Sequence, residues 1–138
     1  MAGARSTALK ALLRVEEEKG YSNLVLDAAL GATALSPRDR ALAAAIYYGV
    51  LERRITLDYI LGFYSRTPVA KLSPAVREIL RVGAYQLRYL ERVPASAAVN
   101  ECVKLAKENG EARAAGLVNA VLRSMLREPD KARFPDRK

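Results

Sequence analysis

Apolar residues recur every three or four positions along almost the whole chain, and this spacing constrains the fold more than any other feature. The spacing matches one face of an α-helix, whereas a half-buried strand needs alternation, and no sustained alternation occurs. Ala, Leu, Arg, Glu and Lys, which are strong helix formers, dominate these segments. The sequence therefore predicts an all-α domain.

Seven helices with short connections are predicted. Ser36-Pro37 and Ser73-Pro74 each fit an N-cap followed by proline at the first helical position, so they mark the starts of the third and fifth helices. Gly20 is predicted to end the first helix, and other glycines and prolines mark further ends. The predicted ranges are 4–19, 23–30, 37–52, 56–64, 74–93, 95–109 and 111–127.

The last eleven residues, EPDKARFPDRK, are polar and broken by prolines, and they carry no apolar stripe. We therefore expect residues 1–128 to form one domain and residues 129–138 to be a linker or a cut end. No apolar run approaches the roughly 18 residues that a membrane helix needs, and the first residues lack the apolar core of a signal peptide. A cytoplasmic location with no membrane contact is the expectation.

Catalytic chemistry finds little support in the residue types present. The chain has no histidine, so the usual general base and the commonest metal ligand are missing. The single cysteine, Cys102, shares a helix face with apolar residues and is interpreted as a small buried hydrophobe. No glycine-rich loop follows a strand. We expect neither a catalytic residue nor a metal site, and this chain alone is predicted not to be an enzyme.

The net charge of +8 favours an anionic partner, with nucleic acid first. The first 30 residues carry equal numbers of basic and acidic side chains, so the excess lies further along the chain. On the fifth helix, Arg77, Arg81, Arg88 and Arg92 fall within an arc of roughly 60°. They could follow a phosphate backbone, or they could be a solvated face or be paired with acids from other helices.

Further basic residues lie on two other helices. Lys10 and Arg14 are one turn apart on the first helix, with Arg5 near its start, and Arg38 and Arg40 open the third. Tyrosines at helical spacing could stack on exposed bases, although such tyrosines are more often part of a core or its rim.

Three segments carry a family resemblance: SPRDRALAAAIYYGVLERRITLDYIL, VREILRVGAYQLRYLERVPASAAVNECVKLAK and GLVNAVLRSMLRE. They resemble the NusB-like domain at the N-terminus of bacterial 16S ribosomal RNA cytosine-C5 methyltransferases, over about residues 4 to 128. The free-standing NusB antitermination factor shares that fold, but Asn119–Arg123 has the methyltransferase form. The resemblance implies a NusB-like helical bundle of two three-helix sub-bundles plus an extra helix.

The resemblance also implies a function. A catalytic domain of the same polypeptide, which binds S-adenosylmethionine and uses its own cysteine, would follow the linker and is absent here. This domain would then be non-catalytic and would help to seat 16S rRNA. The residues expected to contact RNA phosphates are Arg5, Lys10, Arg14, Arg77, Arg81, Arg88, Arg92, Arg38 and Arg40.

Two alternatives remain open at this point. The chain could be a NusB-type antitermination factor that binds a boxA-like RNA together with a ribosomal protein. It could instead be an intramolecular packing module without RNA contact, which covers the catalytic domain through an apolar rim of Tyr47, Tyr48, Phe63 and Tyr64.

Overall fold

The computed structural model describes residues 3–18 and 22–134. Within these ranges the chain forms seven α-helices and no strand, which confirms the all-α prediction. Short 3₁₀ segments, Val69–Lys71 and Ala112–Ala114, precede the fifth and seventh helices. The predicted stop at Gly20 lies outside the described residues. The helices are α1 (Ala4–Glu18), α2 (Ser22–Gly31), α3 (Pro37–Glu52), α4 (Arg54–Gly62), α5 (Pro74–Tyr89), α6 (Ala95–Glu108) and α7 (Ala115–Arg127).

The two serine–proline pairs cap helices as predicted. Ser36 Oγ accepts a hydrogen bond from the backbone N–H of Asp39 at 3.1 Å, and Ser73 Oγ accepts one from that of Val76 at 3.2 Å. The hydroxyl of Ser73 also donates to Glu111 Oε2 at 2.9 Å. Each cap satisfies a backbone donor and stabilises its helix by about 1 kcal/mol. The starts of α3 and α5 are therefore fixed locally.

The structure ends α5 four residues earlier than predicted. Leu90 leaves the helix with φ −111° and ψ 89°, and residues 91–92 form a turn. Pro94 disfavours helical geometry at the residue before it, and the chain leaves the helix ahead of that point. Arg92 therefore lies in the turn between α5 and α6 and is not on the helix face to which the spacing assigned it.

The central helix of the fold is α5, which contacts α1, α3, α4, α6 and α7. Helices α1, α2 and α3 pack on one another, and so do α5, α6 and α7, while α4 packs against α5. This arrangement confirms the two three-helix sub-bundles with an extra helix. Because α5 is covered on most sides, its residues from Glu78 to Gln86 are all buried, the polar ones included.

Close helix contacts depend on two glycines. A Cβ on Gly49 would lie 2.0 Å from the ring of Tyr85, and one on Gly83 would lie 2.6 Å from a methyl of Leu122. These contacts bring α3 and α7 close to α5. Cys102 Sγ also lies 3.2 Å from that Gly83 position, and burial raises the pKa of the Cys102 thiol to about 12. The cysteine is a buried packing residue, as its apolar helix face indicated.

The Gly49–Tyr85 contact yields a stability prediction. Gly49→Ala should destabilise the protein by about 1–3 kcal/mol or more, because the added methyl overlaps a ring held between two helices. Urea denaturation monitored by circular dichroism measures the change in the free energy of unfolding.

Gly116→Ala is the matched control, because Gly116 lies in α7 and a Cβ there has no described atom within 4 Å. It should stabilise the protein by about 0.5 kcal/mol or less through helix propensity alone, because Gly116 is only the second residue of α7. Equal effects of the two substitutions would contradict the close approach of α3 and α5.

Candidate functional site

A cleft between α1 and α2 carries two of the predicted basic residues. Lys10 and Arg14 are exposed on α1 and border a cavity of about 230 Å³. Small residues of α2 and the turn after it, Ala28, Ala29, Ala32 and Thr33, line the other side and leave the space open. Two cations beside an open cleft can hold an anionic group of a ligand.

Arg14 forms only a weak ion pair within the domain. Its Nε lies 2.5 Å from Glu18 Oε2, one turn along α1, and both side chains are more than half exposed. Exposed ion pairs of this kind contribute little and are screened by salt, so a phosphate can compete for Arg14.

Arg38 and Arg40 continue the basic surface at the start of α3. Both are exposed, and neither forms an ion pair with a residue in the described ranges. The loop of residues 32–36 connects the cleft to this helix start. A cation at the positive end of a helix does not stabilise that helix, so these two arginines gain little inside the domain itself.

Arg5, the third predicted residue of α1, is half-buried and serves the fold. Its Nε donates to Gln86 Oε1 of α5 at 2.6 Å, and Gln86 Nε2 donates to the carbonyl of Val82 at 3.1 Å. Gln86 is only 1% exposed. Arg5 therefore fixes the first turn of α1 against the central helix.

The arginines of α5 do not form the solvent-facing ridge that their spacing allowed. Arg81 donates to both carboxylate oxygens of Asp58, at 2.8 and 2.7 Å, and to Glu78 Oε2 at 3.0 Å, and its side chain is 7% exposed. Arg77 pairs with Glu16 of α1 and also donates to the carbonyl of Leu72 at 3.2 Å. The interpretation of these two as a phosphate ridge is corrected in favour of the alternative, pairing with acids.

The other two arginines of the predicted ridge, Arg88 and Arg92, lie apart from Arg77 and Arg81. Arg88 donates to the Tyr64 hydroxyl at 3.1 Å and to the carbonyl of Pro129 at 2.9 Å, so it holds the chain after α7. Arg92 is exposed in the α5–α6 turn. The RNA-contacting role of Lys10, Arg14, Arg38, Arg40 and Arg92 stays a prediction.

A buried carboxyl pair joins α1 to α5, and the sequence analysis missed it. Glu78 is fully buried; its Oε1 and the buried Oε2 of Glu16 find no hydrogen-bond donor among the described residues. Burial and the contact with Glu16 raise the pKa of Glu78 to about 8. The same contact and Arg77 lower the pKa of Glu16. A protonated Glu78 can donate to Glu16, so that the two carboxyls share one proton.

The tyrosines divide between core and surface. Tyr47 is fully buried and donates to the carbonyl of Ser22 at 2.8 Å, so it cannot belong to the predicted apolar rim. The ring of Tyr89 lies 5.4 Å from that of Tyr85 and 4.5 Å from the guanidinium of Arg53. These two contacts hold the Tyr89 ring within the domain, although Tyr89 is 38% exposed.

The described residues do not fit an S-adenosylmethionine site of the expected kind, because that site needs a sheet and residues 3–18 and 22–134 are helical or irregular. In the same ranges, no three Asp, Glu or Cys side chains lie together as metal ligands would. None of the helices described has the length and apolar character needed to cross a membrane.

The buried carboxyl pair yields a prediction on pH. Unfolded Glu78 releases its proton near its ordinary pKa of 4.5, whereas folded Glu78 keeps it to about 8. Stability should therefore be highest below pH 4.5 as far as this group is concerned and should fall as the pH rises to 8, with a slope of at most about 1.4 kcal/mol per pH unit. Urea denaturation at several pH values measures the slope.

Glu78→Gln should remove most of this slope, because an amide is uncharged and can still donate to Glu16 Oε2. The chain has no histidine, so no other side chain has an ordinary pKa between 5 and 8 to obscure the effect. Glu91→Gln, at an exposed position just after α5, is the control and should leave the slope unchanged. A slope that survives Glu78→Gln would contradict the shared proton.

Known proteins resemble this chain in both sequence and fold. The model of the NusB family matches residues 2–127. The probable ribosomal RNA small subunit methyltransferase B of Bacillus subtilis is 41% identical over 124 residues, which is 90% of this chain but 28% of that protein. The ribosomal RNA small subunit methyltransferase B of Thermus thermophilus is 42% identical over 88% of this chain and 29% of its own length.

Shorter relatives match along most of their length. The transcription antitermination protein NusB of Syntrophomonas wolfei is 29% identical over 91% of this chain and 94% of its own length. Among solved structures, NusB in the complex of antitermination factors NusB and NusE with dsRNA superposes with a TM-score of 0.82 at 20% identity, covering 91% of this chain and 95% of that one. T. maritima NusB superposes with a TM-score of 0.80 at 23% identity, covering 91% of this chain and 89% of that one.

The solved structures share the fold of this chain. The chain spans under a third of the length of the methyltransferases it matches, so their catalytic domain lies outside the matched region. With residues 2–127 covered by one family model, the chain belongs to the NusB family.

Proposed function

We propose that this chain is the RNA-binding domain of an S-adenosylmethionine-dependent 16S rRNA cytosine-C5 methyltransferase, in which it helps to seat the rRNA. The observation that carries the proposal is the pair of exposed cations, Lys10 and Arg14, beside the open α1–α2 cleft. Arg38 and Arg40 extend the same surface across the loop, whereas Arg77 and Arg81 are neutralised inside the fold.

The mechanism is electrostatic and positional. Lysine and arginine on this surface neutralise phosphates and release counterions, which sets affinity and orientation without reading base identity. Arg5 acts through α1, since its bond to Gln86 holds the helix that presents Lys10 and Arg14. Arg92 remains a candidate for a further phosphate contact. The rest of the polypeptide would bind S-adenosylmethionine and carry out the methyl transfer.

The relatives support the methyltransferase as the parent protein. The two methyltransferases named above are 41% and 42% identical to the chain, whereas the NusB protein of Syntrophomonas wolfei is 29% identical. The dsRNA in the solved complex of NusB and NusE supports RNA as the ligand of this fold.

A second candidate function rests on length. The chain covers 94% of the Syntrophomonas wolfei NusB, so it could act as an antitermination factor on a boxA-like RNA with a partner such as NusE. Titration of the chain with boxA RNA in the presence and absence of NusE distinguishes the two. A ternary complex much tighter than either binary complex would favour this second function.

The basic surface yields a binding prediction. Reversing its charge with Lys10→Glu and Arg14→Glu together should weaken the affinity for a 16S rRNA fragment roughly tenfold or more at 0.1 M salt. The slope of log affinity against log salt is negative, and its magnitude should decrease by about 1.5, because two phosphate contacts are lost. Fluorescence anisotropy across a salt series measures both quantities.

Arg123→Glu with Arg127→Glu is the matched control. Both residues are exposed on α7, which packs chiefly on α5 and α6. The net charge changes equally in the two double variants, so a nonspecific effect of charge would weaken both to the same extent and would contradict the proposed surface. Absence of RNA binding by the unmodified chain at low salt would also overturn the proposal and favour the packing module.

A further inference from the structure

The chain after α7 packs back onto the domain. Residues 129–134 were expected to begin a linker, yet residues 128–134 lie against α4 and α5, and Ala132 is only 8% exposed as part of the core. We call these seven residues the arm. Residues 135–138 of the expected linker lie outside the described residues.

Three side chains hold the backbone of the arm. The hydroxyl of Tyr64 donates to the carbonyl of Glu128 at 2.6 Å, and that of Tyr59 donates to the carbonyl of Arg133 at 2.5 Å. Arg88 Nη2 donates to the carbonyl of Pro129 at 2.9 Å and also to the Tyr64 hydroxyl at 3.1 Å. We call these three side chains the carbonyl clamp, because each one binds a main-chain oxygen.

Aromatic packing continues the clamp toward the end of the arm. The ring of Phe134 lies 5.3 Å from that of Tyr59, which lies 5.2 Å from that of Phe63. Phe134 is 53% exposed and Tyr59 is 43% exposed. The arm therefore ends on an aromatic cluster that is only half covered by the domain.

The clamp and the basic surface use different helices. The clamp residues belong to α4, α5 and the turn after α4, whereas the cleft lies between α1 and α2. A body that leaves the domain through the arm therefore starts from the α4 side and not from the two helices that border the cleft.

We propose that the carbonyl clamp fixes the direction in which the polypeptide leaves this domain, and that the Tyr59–Phe134 cluster is the docking surface for the part that follows. The proposal rests on the proposed function, since it takes the domain as part of a longer methyltransferase. Two observations commit the docking surface to this occupant: the methyltransferase relatives extend far beyond the match, and Phe134 of the arm itself forms one side of the cluster.

The rigidity of the arm affects how the RNA is positioned for methylation. Seven residues of free linker would let the two parts spread by about 15 Å, whereas an arm held at three carbonyls keeps its end in one place. An RNA seated on one domain has to present its base to the other within a fraction of that distance. The clamp thus converts binding by this domain into positioning of the rRNA.

A nitroxide label tests the clamp in the 138-residue chain. Arg133→Cys gives a single labelling site, because the natural Cys102 is fully buried. The label should be immobilised, and its rotational correlation time should fall several-fold when Tyr59→Phe, Tyr64→Phe and Arg88→Leu are combined. A label at Arg123→Cys on α7 should not respond to the three substitutions. Equal mobility at residue 133 with and without the clamp would overturn the proposal.

Trypsin gives a second readout that needs no label. Cleavage after Lys131 and Arg133 should be at least tenfold faster in the triple variant than in the unmodified chain, while the helical circular dichroism signal stays the same. An unmodified arm that is cut as fast as the variant arm would overturn the clamp. Neither readout involves RNA, so failure of rRNA binding and failure of the clamp are distinguishable.

Phe134→Ser tests the docking surface in the longer polypeptide, because it leaves the three carbonyl contacts in place. It should accelerate tryptic cleavage beyond residue 134 at least tenfold and increase the radius of gyration measured by X-ray scattering. Leu24→Ser, at another exposed apolar residue on α2, is the control and should change neither. Unchanged cleavage and size for Phe134→Ser would overturn the docking surface.

Discussion

The ion pairing of Arg81 inside the fold is the interaction on which the other parts of this structure depend. Its guanidinium holds both oxygens of Asp58 on α4 and one oxygen of Glu78 on α5. Glu78 in turn faces Glu16 of α1. Three helices are thereby joined through polar side chains, of which Arg81 and Glu78 are buried and Asp58 and Glu16 are partly exposed. Removing Asp58 leaves the buried Arg81 guanidinium without its carboxylate partner, and the loss of a partner by a buried charge typically costs about 3–5 kcal/mol.

The sequence predicted the helices well because their signals are local. Serine at positions 36 and 73 meets a backbone donor three residues further on, so each cap can be recognised without knowledge of the fold. The end of α5 was predicted too late, because the turn before Pro94 takes up more residues than the single one that proline directly restricts. Helix boundaries of this kind depend on how the chain must turn to reach its next partner.

The functional surface was only partly predictable, for the same physical reason. Arg77 and Arg81 share a helix face in the sequence, but their partners Glu16 and Asp58 lie 61 and 23 residues away, and only tertiary packing brings them together. Lys10 and Arg14 were predicted correctly as neighbours, although the cleft beside them depends on alanines of another helix. The arm escaped prediction because its main-chain oxygens, which leave no pattern of side chains, make the contacts.

The buried carboxyl of Glu78 has a consequence for the folding reaction itself. Near neutral pH the unfolded chain carries this group ionised, whereas the folded chain carries it protonated. Folding therefore takes up close to one proton from the solution, and unfolding returns it. The heat measured by calorimetry will then contain the ionisation enthalpy of the buffer, so the same domain will show different apparent unfolding enthalpies in phosphate and in Tris.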